Sequence, residues 1–219
     1  MNERDFQCKA RERLEQGNSV LIIAPTGLGK TRAALAPFIN NMDNKGLLGS
    51  RLLYTLPLRA LAGSVAREFE QLSGGIQMLT HHGEEPESEI FSESAIVTTV
   101  DQYFTTFAGA PLSWTSHKSH AAAGAVLSSY SVFDEVHLLS PRYGLPLLFA
   151  ILKLCQRWGL PSCVMTATMP HQVVDFLSQH CGRFPFPALR INEGGSFSTR
   201  CLRKRFLAKG HHKVVRKAN

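Results

Sequence analysis

The chain has 219 residues, 24 Lys and Arg against 17 Asp and Glu, and a formal net charge of +7. That length carries one α/β domain with extensions and a sizeable core; no apolar run reaches the length of a membrane span, and Met1-Asn2-Glu3-Arg4-Asp5 is no secretory leader. The five cysteines, odd in number and without a Cys-x-x-Cys spacing, argue against a disulfide framework and for a reducing, cytoplasmic setting.

Residues 5–16 (DFQCKARERLEQ) place Phe6, Ala10 and Leu14 on one helical face, and Gly17 ends that helix. Gln7 lies upstream of the next strand, where its amide can donate to and accept from an adenine edge. Val20–Ile23 is a short apolar strand. Ala24-Pro25-Thr26-Gly27-Leu28-Gly29 interrupts it, and Lys30-Thr31 opens an apolar helix. A strand, a glycine-containing loop and a helix with Lys-Thr at its start make a phosphate cradle: backbone N–H groups point at the anion. Lys30 reaches the β- and γ-phosphates of a nucleoside triphosphate, and the Thr31 hydroxyl ligates Mg²⁺. Thr26, Gly27, Leu28 and Gly29 form the loop, with glycines where a Cβ would collide. The general pattern has Gly where this chain has Ala24.

Residues 51–56 (RLLYTL) predict a second strand, stopped by Pro57, and a helix follows with Leu61, Val65, Phe69 and Leu72 at helical spacing. Arg59 at its start suits a nucleic-acid phosphate. Residues 74–94 read as connection, 95–99 as a third strand, and 109–124, rich in Gly, Ser, Ala and His, as a loop. His81-His82, His117/His120 and His211-His212 sit in polar stretches without metal-ligand spacing and read as solvated. The chain turns apolar around 126–133 and ends in Asp134-Glu135-Val136-His137. Residues 145–158 are apolar nearly all round and predict a helix buried on most sides. Cys163-Val164-Met165 is a further strand, and Thr168 with Pro170 predicts the cap and first turn of a helix over 170–180.

Asp134-Glu135 at a strand end lies on the same sheet edge as the phosphate loop. Asp134 can hold Mg²⁺ through water, and Glu135 can deprotonate the attacking water. Thr166, Thr168 and His137 can form hydrogen bonds that sense the γ-phosphate. Past Cys181-Gly182 the pattern loosens into a linker, with short strands expected near 188–191 and 204–207. Residues 200–219 hold eight basic residues and no acid, so the basicity belongs to this tail; it suits nucleic acid or a linker. Strands alternating with helices imply an α/β fold: a mostly parallel sheet with helices on both faces.

APTGLGKT, LPLRALA, TTVDQ, DEVH and TATMP occur in that order at strand ends. They resemble motifs I, Ia, Ib, II and III of the superfamily 2 helicases, over roughly residues 5–182, with Gln7 resembling the adenine-reading glutamine. TVDQ, the long insertion before DEVH, DEVH itself and TATMP are most similar to the helicase part of the CRISPR-associated helicase–nuclease of type I systems. The resemblance implies a RecA-like three-layer sandwich over residues 1–183 and a linker and basic segment over 184–219. It further implies ATP and Mg²⁺ as cofactors, and single-stranded DNA held by Arg59, Thr98 and Asp101. As partners it implies a second RecA-like domain in cis or trans, a guide-RNA surveillance complex and a nuclease, in a prokaryotic cytoplasm and with no membrane. Leu58 stands where motif Ia usually has Thr, and Thr166 where motif III usually has Ser. Motifs IV to VI and a nuclease His-Asp pair have no counterpart in the sequence. Two alternatives stay open: a nucleotide-gated binding or adaptor module that does not hydrolyse, and half of an RNA helicase of the DEAH type.

Overall fold

A computed structural model describes residues 4–42, 48–82, 85–86, 91–109, 116–180, 188–191 and 197–200. Its centre is a sheet whose middle strands carry the apolar runs read from the sequence. In chain order the strands are β1 (Val20–Ile23), β2 (Arg51–Leu56), β3 (Leu79–His82), β4 (Glu85–Pro86), β5 (Ala95–Thr99), β6 (Ser129–Phe133), β7 (Ser162–Thr166), β8 (Ala188–Ile191) and β9 (Phe197–Arg200). Among the described residues they form one sheet in the order β4-β3-β5-β2-β6-β7-β1-β8-β9. Only the outermost pairs, β3 with β4 and β8 with β9, are antiparallel; the rest are parallel. Strands β1, β6 and β7 are buried at every position, as parallel strands covered on both faces must be.

Helices α1 (Asp5–Glu15), α2 (Lys30–Asn40) and α3 (Ala62–Ser73) cover one face. Phe6, Ala10 and Leu14, then Ala33, Ala34 and Phe38, then Ala62, Val65 and Phe69 pack there against alternate strand positions such as Ile22, Tyr54 and Met165. Helices α4 (Val100–Phe107), α5 (Ser116–Leu127), α6 (Gly144–Arg157) and α7 (His171–His180) cover the other face, against Leu21, Leu53, Phe133 and Val164. Neighbours in a strand thus feed opposite cores, the period of two that a pleat imposes. The result is the three-layer α/β sandwich the sequence implied.

Several local expectations differ. Residues 116–127 form α5 rather than loop: the run Ala121-Ala122-Ala123 favours helix, and Ala122, Ala125 and Val126 are buried. Helix α6 buries Leu148, Ile151, Leu152 and Cys155 but leaves Leu147 45% and Trp158 52% exposed, so it is covered on one side. His81 is not solvated; it is a buried residue of β3, its ring 4.6 Å from that of Phe91. Helix α7 begins at His171, and the Pro170 carbonyl accepts the first helical N–H groups, from Val173 and Val174, so Pro170 and not Thr168 takes the cap position. Strand β8 pairs with β1 along Leu21–Ile23, so the sheet continues past the boundary expected at 183. The strand expected at 204–207 and the basic tail beyond Arg200 lie outside the described residues. Among the described residues no helix is long and apolar enough to cross a membrane.

Candidate nucleotide site

The parallel strands end at one edge, and β1, β2, β6 and β7 deliver their loops there side by side. After β1 the chain turns through Ala24–Gly29. The Ala24 N–H donates to the Thr166 carbonyl at 3.1 Å, tying this loop to the end of β7. Gly27 and Gly29 have φ of +78° and +82°, a backbone that side chains other than glycine rarely adopt. The expected collision holds for one of them. A Cβ on Gly29 would lie 2.7 Å from Gln7 Nε2, whereas on Gly27 it would meet nothing of the protein within 4 Å. Gly27 is required for its backbone; Thr26 stands exposed at the tip.

Lys30 is the first residue of α2 and only 7% exposed. Its ammonium donates to the Ala24 carbonyl at 2.9 Å and the Pro25 carbonyl at 3.4 Å, and lies 3.9 Å from Glu135 Oε1. A buried cation satisfied by the carbonyls of its own loop is poised to exchange them for phosphate oxygens. Gln7, also buried, bridges α1 to the loop. Its Oε1 accepts the Arg4 N–H at 2.8 Å, and its Nε2 donates to the Gly29 carbonyl at 3.0 Å. One N–H and one lone pair remain for a ligand. Arg4, unremarked in the sequence, donates to the Leu28 carbonyl at 2.8 Å. Beside them opens a cavity of about 520 Å³, lined by Gln7, Gly27–Gly29 and, from α3, Arg67, Glu68 and Gln71.

After β6, Asp134 is largely buried, and its Oδ1 accepts the Glu135 N–H at 2.8 Å. Its Oδ2 accepts the hydroxyl of Tyr54, from β2, at 2.6 Å. Burial raises the carboxyl pKa of Asp134, and the Tyr54 hydrogen bond works against that rise. Glu135 holds φ +48°, a left-handed conformation uncommon for a residue with a side chain. That turn sends its carboxylate back toward Lys30. Glu135 Oε2 is buried and accepts no hydrogen bond. His137 Nδ1 stands 3.2 Å from it but is directed at Thr166 Oγ1, 3.1 Å away. Thr166 spends its own proton on the Thr168 carbonyl at 2.7 Å, so His137 Nδ1 is the donor in that pair. The 134–137 turn and the end of β7 are joined by this bond. Thr168 contributes its carbonyl, and its side chain is exposed.

The residues fit a magnesium triphosphate. Thr31 and Asp134 offer hard oxygen donors beside a glycine loop, and among the described residues no cluster of His, Cys, Asp or Glu could cage a metal unaided. Two protein oxygens with phosphates and water completing the shell is the habit of Mg²⁺. Of the residues expected at nucleic acid, Arg59 lies in an exposed 3-10 turn after β2, and Asp101 is exposed in the first turn of α4. Thr98 is a correction: it is 2% exposed, and its hydroxyl donates to the His81 carbonyl at 2.8 Å, so it faces the sheet and not a strand of nucleic acid.

The family model described as DEAD/DEAH box helicase matches residues 4–176. The chain belongs to that family. Its members are ATP-dependent helicases. The CRISPR-associated helicase Cas3 of Thermoproteus tenax is 28% identical over 182 residues, 75% of this chain and 32% of that protein. A chloroplastic DExH-box ATP-dependent RNA helicase, DExH15 of Arabidopsis thaliana, is 31% identical over 137 residues, 62% of this chain and 11% of that one. This helicase-family chain therefore spans a third or less of the length of these two relatives. In fold it is similar to the DUF1998 helicase MrfA in a structure bound to DNA and AMPPNP, with TM-score 0.65 at 20% identity, covering 88% of this chain and 27% of the other. It is also similar to a chain of a CRISPR RNA-guided surveillance complex in a pre-nicking state, with TM-score 0.55 at 21% identity, covering 78% and 19%.

Proposed function

We propose that the chain is the first motor domain of an ATP-dependent superfamily 2 helicase that moves on single-stranded DNA in CRISPR type I interference. The observation that carries the nucleotide half of this reading is the meeting of Lys30, Thr31, Asp134 and Glu135 at one sheet edge. Lys30 holds the β- and γ-phosphates; Thr31 and Asp134 hold Mg²⁺, which offsets the charge of the transferred group. Glu135 Oε2, buried and without a donor, takes the proton of the attacking water. Gln7 presents its remaining donor and acceptor to adenine at the 520 Å³ cavity. His137, Thr166 and the Thr168 carbonyl carry the state of the γ-phosphate from the turn after β6 to the loop after β7.

Arg59 contacts the strand backbone largely without regard to sequence. The CRISPR assignment, with its surveillance complex and nuclease as partners, rests on the Cas3 likeness and on the TVDQ and TATMP strings. The RNA-helicase reading is kept alive by the likeness to DExH15.

The test is a hydrolysis and binding assay on the purified chain. It binds Mg²⁺–ATP and prefers single-stranded DNA to RNA, yet turns ATP over close to background. The arginine fingers of the opposite wall, worth about 10³–10⁵ in kcat, match no motif in these residues. Vigorous DNA-stimulated hydrolysis by the chain alone would contradict the half-site reading, and a preference for RNA would favour the second reading.

A further inference from the structure

Tyr54 sits in the middle of β2 with no exposed surface, a place where a tyrosine needs a partner for its hydroxyl. Its hydroxyl donates to Asp134 Oδ2 at 2.6 Å. A phenol has one proton to give, and here it is committed to that carboxylate.

Such a link has a use at a cation: the phenol fixes the rotation of the Asp134 carboxylate. Oδ2 is held by Tyr54 and Oδ1 by the Glu135 N–H at 2.8 Å, while the Asp134 N–H donates to the Thr55 carbonyl at 3.0 Å. Strand β2 therefore grips this residue from both its backbone and its side chain. Each carboxylate oxygen keeps a lone pair for a hydrated cation.

We propose that Tyr54 is a positioning residue for the Mg²⁺ of the bound nucleotide, holding the Asp134 carboxylate in place through one buried phenol hydroxyl. The inference rests on the ATP–Mg²⁺ reading above and adds to it a residue from a strand outside the phosphate loop and the acidic turn. Loss of an outer partner of a metal ligand typically costs about 10–100-fold in metal affinity.

The test is a titration of a fluorescent ADP analogue across a Mg²⁺ series and in EDTA. For Tyr54→Phe the Mg²⁺ concentration at half-effect rises about tenfold or more, and affinity in EDTA is unchanged. Tyr130→Phe is the control. That tyrosine is equally buried, but its hydroxyl donates to the Ala34 carbonyl at 3.1 Å, so its loss leaves the Mg²⁺ midpoint where it was. An unchanged midpoint in Tyr54→Phe, or an equal loss in EDTA, overturns the proposal. If the unaltered chain binds no nucleotide with or without Mg²⁺, the nucleotide reading fails and takes this one with it. A second measurement needs no substitution. The Tyr54 hydroxyl proton, followed by NMR in tyrosine-labelled protein, shifts when Mg²⁺ joins ADP and stays put with ADP in EDTA. A resonance indifferent to Mg²⁺ overturns the proposal even if Tyr54→Phe fails to fold.

Discussion

Lys30→Ala lowers the affinity of the chain for Mg²⁺–ATP by about 10²–10⁴-fold, since each hydrogen bond to a charged group contributes about 1.5–3 kcal/mol and the ammonium has donors for two phosphates. The size of the effect follows from where Lys30 sits. It is 7% exposed at the start of α2, so water screens it little. Its charge is opposed only loosely by Glu135, 3.9 Å away, and is otherwise satisfied by the neutral carbonyls of Ala24 and Pro25. Phosphate is a better partner than either carbonyl. Nucleotide titration followed by fluorescence measures the loss. An affinity equal to that of the unaltered chain would remove Lys30 from the site.

Phe69→Ala destabilises the fold by about 3–5 kcal/mol, the usual range for removing a fully buried aromatic side chain. For a chain of this size that lowers Tm by about 6–20 °C. Phe69 is 0% exposed and is the deepest anchor of α3, with Val65 and Ala62 a turn and two turns before it. Helix α3 also lines the cavity beside the phosphate loop through Arg67, Glu68 and Gln71. The same substitution therefore weakens nucleotide binding in the fraction that stays folded. Calorimetry gives the stability, and a Tm within about 2 °C of the unaltered chain would mean α3 is not held by this core.

Much of the fold was legible because parallel strands buried on both faces announce themselves as apolar runs. VLII, RLLYTL, AIVTT and CVM needed no tertiary information. Helix α5 was not legible by the same rule: its Gly, Ser and His content reads as loop, and only the packing of Ala122, Ala125 and Val126 shows that its alanines decide. Strand β3 was hidden for a related reason. LTHH carries two histidines, and it is the contact with Phe91 that makes His81 a core residue.

The site divided along similar lines. Lys30, Thr31, Asp134 and Glu135, the residues proposed to hold the nucleotide, could be named in advance because phosphate and Mg²⁺ chemistry needs those residue types at strand ends. Thr98 was misplaced because alternation along β5 decides which of two adjacent threonines turns inward, and a Thr-Thr string does not say. Thr168 was assigned a hydroxyl role where its carbonyl does the bonding. Tyr54 carried no signal at all. A tyrosine in an apolar strand is ordinary, and its partner lies 80 residues along the chain. Only the register of β2 on β6, with Tyr54 beside Val132 and Thr55 beside Phe133, brings its phenol under the acidic turn.

The proposed function requires one wall of a nucleotide site at the edge shared by β1, β2 and β6. The most direct test is a crystal structure of the chain with a non-hydrolysable ATP analogue and Mg²⁺. The expected complex has Lys30 released from the Ala24 carbonyl onto the β- and γ-phosphates, Mg²⁺ held by Thr31 and Asp134, and Tyr54 still bonded to Asp134. A nucleotide bound elsewhere, or phosphates in the loop with Lys30 still on its own carbonyls, would contradict it.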